Sequence, residues 1–311
     1  MATLKTIAAL DVGSNTVLMV VAQRRPDGTV TTLDEMARIT RLGRGVDRNG
    51  RLDPDSARAT LDAIIEFAGR ARVLGAEKIC AAATAALRDA ADGADFIDEV
   101  RRCTGISLEI ISGETEARMS WLAAVRGLGL DPAARLLIVD IGGGSTEFIR
   151  AEPDLPLDAV SLQIGSVRLT ERHYHHDPPT PADIVALRAT IDTAIDALGW
   201  DYSPDVAVGI AGTVTTVCAT SLGLERYDHA VVHGHRLARA DIIRVLDLFG
   251  SMPTAERRLL PGVAEGRADV IYAGATILER IVERFGLAEV IVSDQGVRWG
   301  LIWRELDQVA T

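Results

Sequence analysis

One short pattern occurs twice in the chain, and it limits the possible folds more than any other feature. An apolar run ends in Asp, a glycine-containing turn follows, and β-prone residues come next, first in ALDVGSNT and again in IVDIGGGST. The two copies lie about 130 residues apart, as expected when each of two related domains carries its own loop. The repeat therefore predicts two α/β domains that both begin with a strand, a turn and a further β run.

The length and composition of the chain agree with two folded domains. At 311 residues it exceeds the size at which one hydrophobic core usually stops growing, and 48% of its residues are hydrophobic. No apolar run approaches the roughly 18 residues of a membrane span, and the first residues lack the pattern of a signal peptide. The three cysteines form no CxxC pair, so we expect neither disulfides nor a zinc site, and a reducing cytoplasm as the location.

The net charge of −11 argues against broad attraction to nucleic acid or to an anionic membrane, and we expect neither as a partner. It does not exclude an anionic substrate. Backbone N–H groups, arginines and a divalent cation act at short range, so they can bind phosphate on a protein that repels anions at a distance.

Strands and helices alternate along the rest of the chain. Apolar residues at helical spacing follow Asp53 and Pro54, a good N-cap and first-turn pair, and predict a helix over residues 53–74. The remaining predicted helices cover 94–103, 181–197, 239–249 and 268–285, and the predicted strands cover 6–11, 16–22, 30–33, 79–83, 108–111, 206–210 and 289–292.

The two repeated loops carry the residue types that a phosphate site needs. In the first loop Gly13 allows a tight turn, and Ser14 and Asn15 place short polar groups beside exposed N–H donors. In the second loop Gly142, Gly143 and Gly144 allow a ligand to approach the backbone closely, and Ser145 follows them. The alternative for one loop alone is a plain hairpin turn, but two copies weaken that alternative.

Four acidic residues are candidates for metal binding and catalysis. Asp11 and Asp140 end the strands before the loops and, on opposite walls of a cleft, could both hold Mg²⁺, which prefers carboxylates, waters and phosphate oxygens. Glu116 lies in SGETEAR at the start of a predicted helix, where glutamate could activate water or could simply favour the helix dipole. Glu147, just after the second loop, could be catalytic or could face solvent.

Taken together, the motifs resemble the exopolyphosphatase and guanosine pentaphosphatase (Ppx/GppA) family over nearly the whole chain. The matching motifs, in the family's order, are ALDVGSNT, RLGRGV, ATAALRDA, SGETEAR, IVDIGGGSTE, AGTVTT, VHGHRL, RADVIYAGATIL and SDQGVRWGL. The resemblance implies an α/β fold of two ribonuclease H-like domains, of the actin, sugar-kinase and Hsp70 superfold, with an interdomain cleft. The implied domains are residues 1–121 plus 297–311 and residues 122–296.

The resemblance also implies roles for particular residues. Glu116 matches the base for the attacking water, Asp140 and Asp11 match the Mg²⁺ ligands, with Mn²⁺ as the alternative metal, and Glu147 matches a second essential acidic residue. The matching phosphate-binding residues are Gly13, Ser14, Asn15, Arg88, Gly142, Gly143, Gly144 and Ser145. Two departures are Ala85, where the family commonly has Ser, and Thr115, where it commonly has a second Glu.

Several functions fit these residues. The leading hypothesis is an exopolyphosphatase that releases orthophosphate from the end of inorganic polyphosphate. The close alternative is a guanosine pentaphosphatase that converts pppGpp to ppGpp, and more distant ones are a kinase of the same superfold and a non-catalytic sensor of (p)ppGpp or polyphosphate. The resemblance leaves (p)ppGpp as an inhibitor and a homodimer open.

Some features have two readings that the sequence does not separate. Residues 209–216 (GIAGTVTT) could form a third phosphate contact or a strand that leads into a helix capped by Thr213. Arg41, Arg267 and Arg298 match family positions but could equally form ion pairs at a surface or hinge.

Overall fold

The computed structural model describes residues 5–131 and 133–308. The chain divides into two compact units, which are described separately below. Unit 1 contains Met1–Ala123 and Val297–Thr311, and unit 2 contains Ala124–Gly296. The domain boundary expected from the sequence, between residues 121 and 122, lies two residues before this division.

Unit 1 is built on a five-stranded sheet. Its first three strands, β1 (Lys5–Val12), β2 (Thr16–Arg24) and β3 (Val30–Ile39), form an antiparallel meander. Strands β4 (Lys78–Ala83) and β5 (Leu108–Ile110) then add in parallel beside β1, which gives the order β3-β2-β1-β4-β5. The helices are α1 (Val46–Asn49), α2 (Pro54–Val73), α3 (Ala85–Asp89), α4 (Gly93–Thr104), α5 (Gly113–Leu128, which continues into unit 2) and α13 (Val297–Gln308).

Both faces of this sheet are covered, because side chains alternate along β1. Leu10 joins an apolar cluster with α2 and α4, whereas Ile7 and Ala9 join a second cluster that includes residues of α5 and α13. Asp11 follows Ala9 by two residues, so its side chain projects on the α5 and α13 face. Helix α2 begins as its sequence predicts, because the Asp53 carboxylate accepts a hydrogen bond from the Ser56 N–H at 2.9 Å.

Unit 2 repeats the same arrangement with one added strand. Strands β6 (Leu136–Ile141), β7 (Thr146–Ala151) and β8 (Asp158–Leu162) are antiparallel, and β9 (Val206–Ile210) and β11 (Glu289–Ser293) lie parallel to β6. The short β10 (Arg236–Ala238) pairs antiparallel with β11, so the order is β10-β11-β9-β6-β7-β8. The helices are α6 (Ser166–His173), α7 (Pro181–Asp196), α8 (Ala211–Ser221), α9 (His229–Val232), α10 (Arg239–Gly250), α11 (Thr254–Arg257) and α12 (Ile271–Arg284).

A single large apolar cluster fills one side of the unit 2 sheet. Leu137, Val139 and Ile141 of β6 point into it, and Phe148 of β7 joins them from the next strand. Helices α7, α8, α10 and α12 close this cluster with buried aliphatic residues. The even-numbered residues of β6, including Asp140, therefore lie on the other face of the sheet.

The sequence correctly predicts the fold class and most of its elements. Both sheets place an antiparallel three-strand meander beside parallel strands, the order expected for ribonuclease H-like domains. The helix predicted over residues 268–285 begins three residues later in the structure, at Ile271. A 3₁₀ turn over Glu265–Arg267 precedes it. The predicted strand at 30–33 is too short, since β3 continues to Ile39.

Within the described ranges, no helix combines the length and the apolar character that a membrane crossing requires.

Candidate functional site

The first loop, residues 13–15, joins β1 to β2 and is held by its carbonyl groups. The Ser14 carbonyl accepts from the Gly43 N–H at 2.7 Å, and the Asn15 carbonyl accepts from two successive N–H groups, those of Thr40 and Arg41. The loop closes with a hydrogen bond from the Gly13 N–H to the Thr16 carbonyl at 3.1 Å. The N–H groups of Ser14 and Asn15 have no acceptor in the part of the chain that the structure describes.

The second loop, residues 142–145, joins β6 to β7 in the same way. The Gly142 N–H donates to the Ser145 carbonyl at 3.0 Å. The start of α6 supplies the donors to the loop carbonyls: Gly142 accepts from the Ser166 N–H, and Gly143 from the two N–H groups that follow. Among the described residues, the N–H groups of Gly143, Gly144 and Ser145 have no acceptor.

The two loops therefore share one hydrogen-bond design. In each loop, carbonyl groups accept hydrogen bonds from the N–H groups of a neighbouring segment, and successive loop N–H groups have no acceptor among the described residues. Such an arrangement suits a phosphate oxygen. A glycine supports each loop at close range. A Cβ at position 43 would lie 2.8 Å from the Ser14 Cβ, and a Cβ at position 165 would lie 2.3 Å from the Gly143 oxygen.

Two acidic residues lie side by side next to the second loop. Asp140 of β6 and Glu147 of β7 are direct cross-strand partners, so their side chains share one face of the sheet. Both are buried, with 7% and 1% of their surface exposed. Glu147 Oε1 accepts hydrogen bonds from the hydroxyls of Ser145 and Ser161, each at 2.7 Å. The Ser145 hydroxyl is thus directed at Glu147, while its N–H remains part of the loop.

Glu116 lies in the first turn of α5 and is buried beside an arginine. Arg88, from α3, donates through Nη1 to the Ile111 carbonyl at 2.8 Å and forms an ion pair with Glu116 Oε2 at 3.3 Å. The Glu116 carboxylate is only 10% exposed. The Nη2 group of Arg88 is buried and has no hydrogen-bond partner among the described residues.

The two glutamates in the first turn of this helix have different surroundings. Ser112 is the cap, since its hydroxyl accepts from the Thr115 N–H at 3.2 Å. Glu114 fits the simple helix reading, because it is exposed and pairs with Arg118 one turn later at 3.0 Å. Glu116 differs from Glu114, because its carboxylate is buried and pairs with Arg88.

The predicted metal ligands are carried by different units, Asp11 by unit 1 and Asp140 by unit 2. Nowhere in the described residues do three or more His, Cys, Asp or Glu side chains form a group that could hold a metal ion. The oxygen ligands that are present still fit Mg²⁺, because Asp140 and Glu147 are buried neighbours and two such carboxylates favour a nearby cation.

The third glycine-containing segment leads from β9 into α8, which confirms the predicted alternative of a strand followed by a helix, but Thr213 is not the cap. Ile210, with no side-chain hydrogen bond, occupies the N-cap position, so Thr213 does not cap the helix. Ala211 adopts a left-handed backbone conformation at φ 70°. The Arg267 guanidinium fills the space where Gly212 lacks a side chain, and burial lowers the pKa of Arg267.

Two other arginines that the sequence left open have structural contacts. Arg298, at the start of α13, pairs with Glu35 of β3 at 3.3 Å, and the Trp299 indole N–H donates to the same carboxylate. Arg41 contributes its backbone N–H to the first loop and has a positive φ of 57°.

Sequence reasoning missed two polar clusters in unit 2. Ser161 reaches Glu147 from β8, a strand that was not predicted; its position between Val160 and Leu162 was the available signal of a residue facing away from the core. After β11, the buried Asp294 carboxylate contacts His229 and His233, whose rings stack at 5.3 Å. These histidines contact a carboxylate that lies far from them in sequence, so spacing rules could not reveal the contact.

The fold and the site define a class of protein: two ribonuclease H-like units, each with a glycine-containing turn that follows an aspartate at the end of a strand. Comparison with known proteins gives the family. The model of the Ppx/GppA phosphatase family matches residues 20–309, and the chain belongs to that family.

Individual relatives match nearly the whole chain. Exopolyphosphatase 2 of Mycobacterium tuberculosis is 33% identical, over 96% of this chain and 98% of the relative. A guanosine-5'-triphosphate,3'-diphosphate pyrophosphatase of Vibrio atlanticus is 30% identical, over 97% of this chain but 59% of its own length. The crystal structure of the Aquifex aeolicus family member superposes with a TM-score of 0.84 at 32% identity, covering 99% of this chain and 100% of the other.

Proposed function

We propose that this protein is an exopolyphosphatase that hydrolyses the terminal phosphoanhydride bond of inorganic polyphosphate and releases orthophosphate. The observation that carries the proposal is the pair of loops with one hydrogen-bond design, each presenting successive N–H groups to an anion. A substrate made only of phosphates offers several such anions in a row. The similarity to a mycobacterial exopolyphosphatase over nearly the full length of both chains supports the same substrate class.

In this proposal Glu116 is the general base. Its carboxylate takes a proton from water as the water oxygen attacks the terminal phosphorus, and the bond from phosphorus to the bridging oxygen breaks. The electron pair leaves on the bridging oxygen, which becomes the new chain end. Arg88 holds the carboxylate in place through Nη1, and its buried Nη2 group can donate to a phosphate oxygen where negative charge develops.

The loops bind and orient the substrate in the same scheme. The N–H groups of residues 14–15 and 143–145 donate to phosphate oxygens, and their fixed carbonyls keep them in position before the substrate arrives. Asp11 and Asp140 would hold Mg²⁺, or Mn²⁺ as the alternative. When bound, such an ion neutralises charge on the phosphoryl group.

The variant Glu116→Gln tests the proposal, with Glu114→Gln as the matched control on the same helical turn. Phosphate release from short polyphosphate should fall by at least about a hundredfold in Glu116→Gln, because a loss of general base catalysis costs on the order of 10² to 10⁴ in rate. Polyphosphate binding, measured by calorimetry, should remain within a few-fold of that of the unmodified protein. Turnover of Glu116→Gln at the rate of Glu114→Gln would refute the assignment of the base.

The second candidate is a guanosine pentaphosphatase, favoured by the 30% identity to the guanosine-5'-triphosphate,3'-diphosphate pyrophosphatase of Vibrio atlanticus. The same loops and the same base would act on the 5'-terminal phosphate of pppGpp. Rates of phosphate release from short polyphosphate, long polyphosphate and pppGpp, each measured with and without Mg²⁺, decide between the two substrates.

A further inference from the structure

A row of three polar side chains crosses the sheet of unit 2. Glu147 of β7 is paired directly with Asp140 of β6 on one side and with Ser161 of β8 on the other. Directly opposed residues of antiparallel strands project on the same face. Their neighbours Phe148 and Val160 pack against the apolar cluster on the opposite face. The strand register therefore places Ser161 beside Glu147 without any contribution from the loops.

The contact between Ser161 and Glu147 is short and directional. The Ser161 hydroxyl donates to Glu147 Oε1 at 2.7 Å, and the Ser145 hydroxyl donates to the same oxygen at the same distance. Two donors on one oxygen fix the rotation of the carboxylate about its last bond, which is otherwise a soft torsion. Ser145 belongs to the second loop, which would itself bind substrate, whereas Ser161 belongs to strand β8 of the sheet.

We propose that Ser161 is a positioning residue: it holds the Glu147 carboxylate in the orientation that the reaction needs. This inference rests on the proposed phosphoanhydride hydrolysis, in which Glu147 is the second acidic residue. Ser161 itself lies outside both loops. Residues that orient a catalytic carboxylate affect the rate much more than they affect substrate affinity, because they act on the geometry of the reacting groups.

The variant Ser161→Ala tests the inference, with Tyr202→Phe as the matched control. The Tyr202 hydroxyl contacts the Leu136 and Ala151 carbonyls at the far ends of β6 and β7, so its removal also deletes a hydroxyl that contacts this sheet. We expect kcat on short polyphosphate to fall about tenfold or more in Ser161→Ala, with KM within about twofold. Tyr202→Phe should leave both constants unchanged. Equal kcat in the two variants would overturn the inference.

A double-mutant cycle separates positioning from a general loss of stability. If Ser161 acts through Glu147, then Ser161→Ala should lower kcat in the unmodified protein but cause no further loss in a Glu147→Gln background. A loss of the same factor in both backgrounds means that Ser161 acts independently of Glu147, and this result also overturns the inference.

The pair Ser161→Thr and Ser161→Val gives the same comparison if Ser161→Ala does not fold. These two side chains have nearly the same shape and differ in one hydroxyl. The threonine variant should retain a kcat several-fold higher than that of the valine variant, and equal values contradict the inference.

If the unmodified protein released phosphate from none of short polyphosphate, long polyphosphate and pppGpp, the proposed function would fail, and the inference with it. An active parent with an unaffected Ser161→Ala removes the inference alone.

Discussion

At the scale of single residues, burial and ion-pair partners distinguish side chains that look alike in the sequence. Glu114 and Glu116 are two residues apart in the same helix turn, but one is exposed and pairs with Arg118 while the other is buried against Arg88. The sequence indicated candidate residue types for the site, and the family resemblance implied a role for each, which stays a prediction. It could not indicate the Ser161 contact, because that contact depends on the register of a strand whose sequence signal is weak.

Arg88 is expected to contribute to the rate through the shape of its guanidinium group. Arg88→Lys keeps the positive charge but cannot contact Ile111, Glu116 and a phosphate oxygen at once. We expect kcat/KM on polyphosphate to fall about ten- to a hundredfold, as measured by phosphate release. Arg70→Lys, which changes an exposed ion pair with Asp34, is the control. Equal kcat/KM values for the two variants would show that Arg88 acts only as a point charge.

At the scale of elements, the structure shows how each loop depends on a second segment. The first loop is supported by residues 40–43 and the second by the start of α6. Neither supporting role was predicted. The helix α6 was not predicted, and the helix α8 was only one of two alternatives, because glycine and β-branched residues favour a strand when they are read locally. Tertiary packing overrides these local preferences, as shown by the burial of most of α8.

A side chain at position 165 should disturb the second loop. The Cβ of Gly165→Ala would lie 2.3 Å from the Gly143 oxygen, so the loop must shift and its N–H groups must lose their alignment. We expect KM for polyphosphate to rise by about tenfold or more, with a lower thermal midpoint. Gly69→Ala in α2 is the control: nothing lies within 4 Å of its Cβ, and it should raise the free energy of unfolding by about 0.5–1 kcal/mol. An unchanged KM in Gly165→Ala would contradict the role given to this close contact.

The free energy of unfolding should depend on pH in the acidic range because of a carboxylate at the start of α7. Hydrogen bonds from the Thr180 hydroxyl and N–H lower the pKa of Asp183 from 3.8 to about 2. A carboxylate whose pKa is lower in the folded than in the unfolded protein stabilises the fold at pH values above its unfolded pKa. This contribution is lost as the pH falls through the folded pKa. The difference in denaturation midpoint between the unmodified protein and Asp183→Asn should therefore shrink between about pH 4 and pH 2. A difference that stays constant over that range would mean that the carboxylate charge does not stabilise the helix start.

At the scale of the whole molecule, the internal repeat was the most reliable guide. It correctly predicted two related α/β units. The pattern is local, since a strand that ends in aspartate is followed by a turn and a second strand, and the sequence shows it directly. Elements that are short or that depend on distant partners were not predicted, among them β8, β10 and α13. The roles of the site residues stay predictions, since they concern chemistry with a substrate.

The net charge of −11 leads to a prediction about salt. Proteins that bind polyanions through many lysine and arginine contacts lose affinity steeply as salt rises, by about 10³ to 10⁵ between 50 and 200 mM for six to ten phosphate contacts. An acidic protein that binds through backbone N–H groups should respond far less. We expect KM for short polyphosphate to change by less than about threefold when KCl rises over this range at fixed free Mg²⁺. A change of tenfold or more would indicate an extended basic binding surface instead.

The use of main-chain donors in both loops also limits what the protein can distinguish. Backbone N–H groups sense the charge and shape of a phosphate and carry no information about what the phosphate is attached to. A tail of phosphates would meet the same contacts whether it ends in a nucleoside or in more phosphate. Selectivity between such molecules must then come from side chains beyond the two turns, and those positions are where related proteins can diverge in their choice of substrate without rebuilding the chemistry.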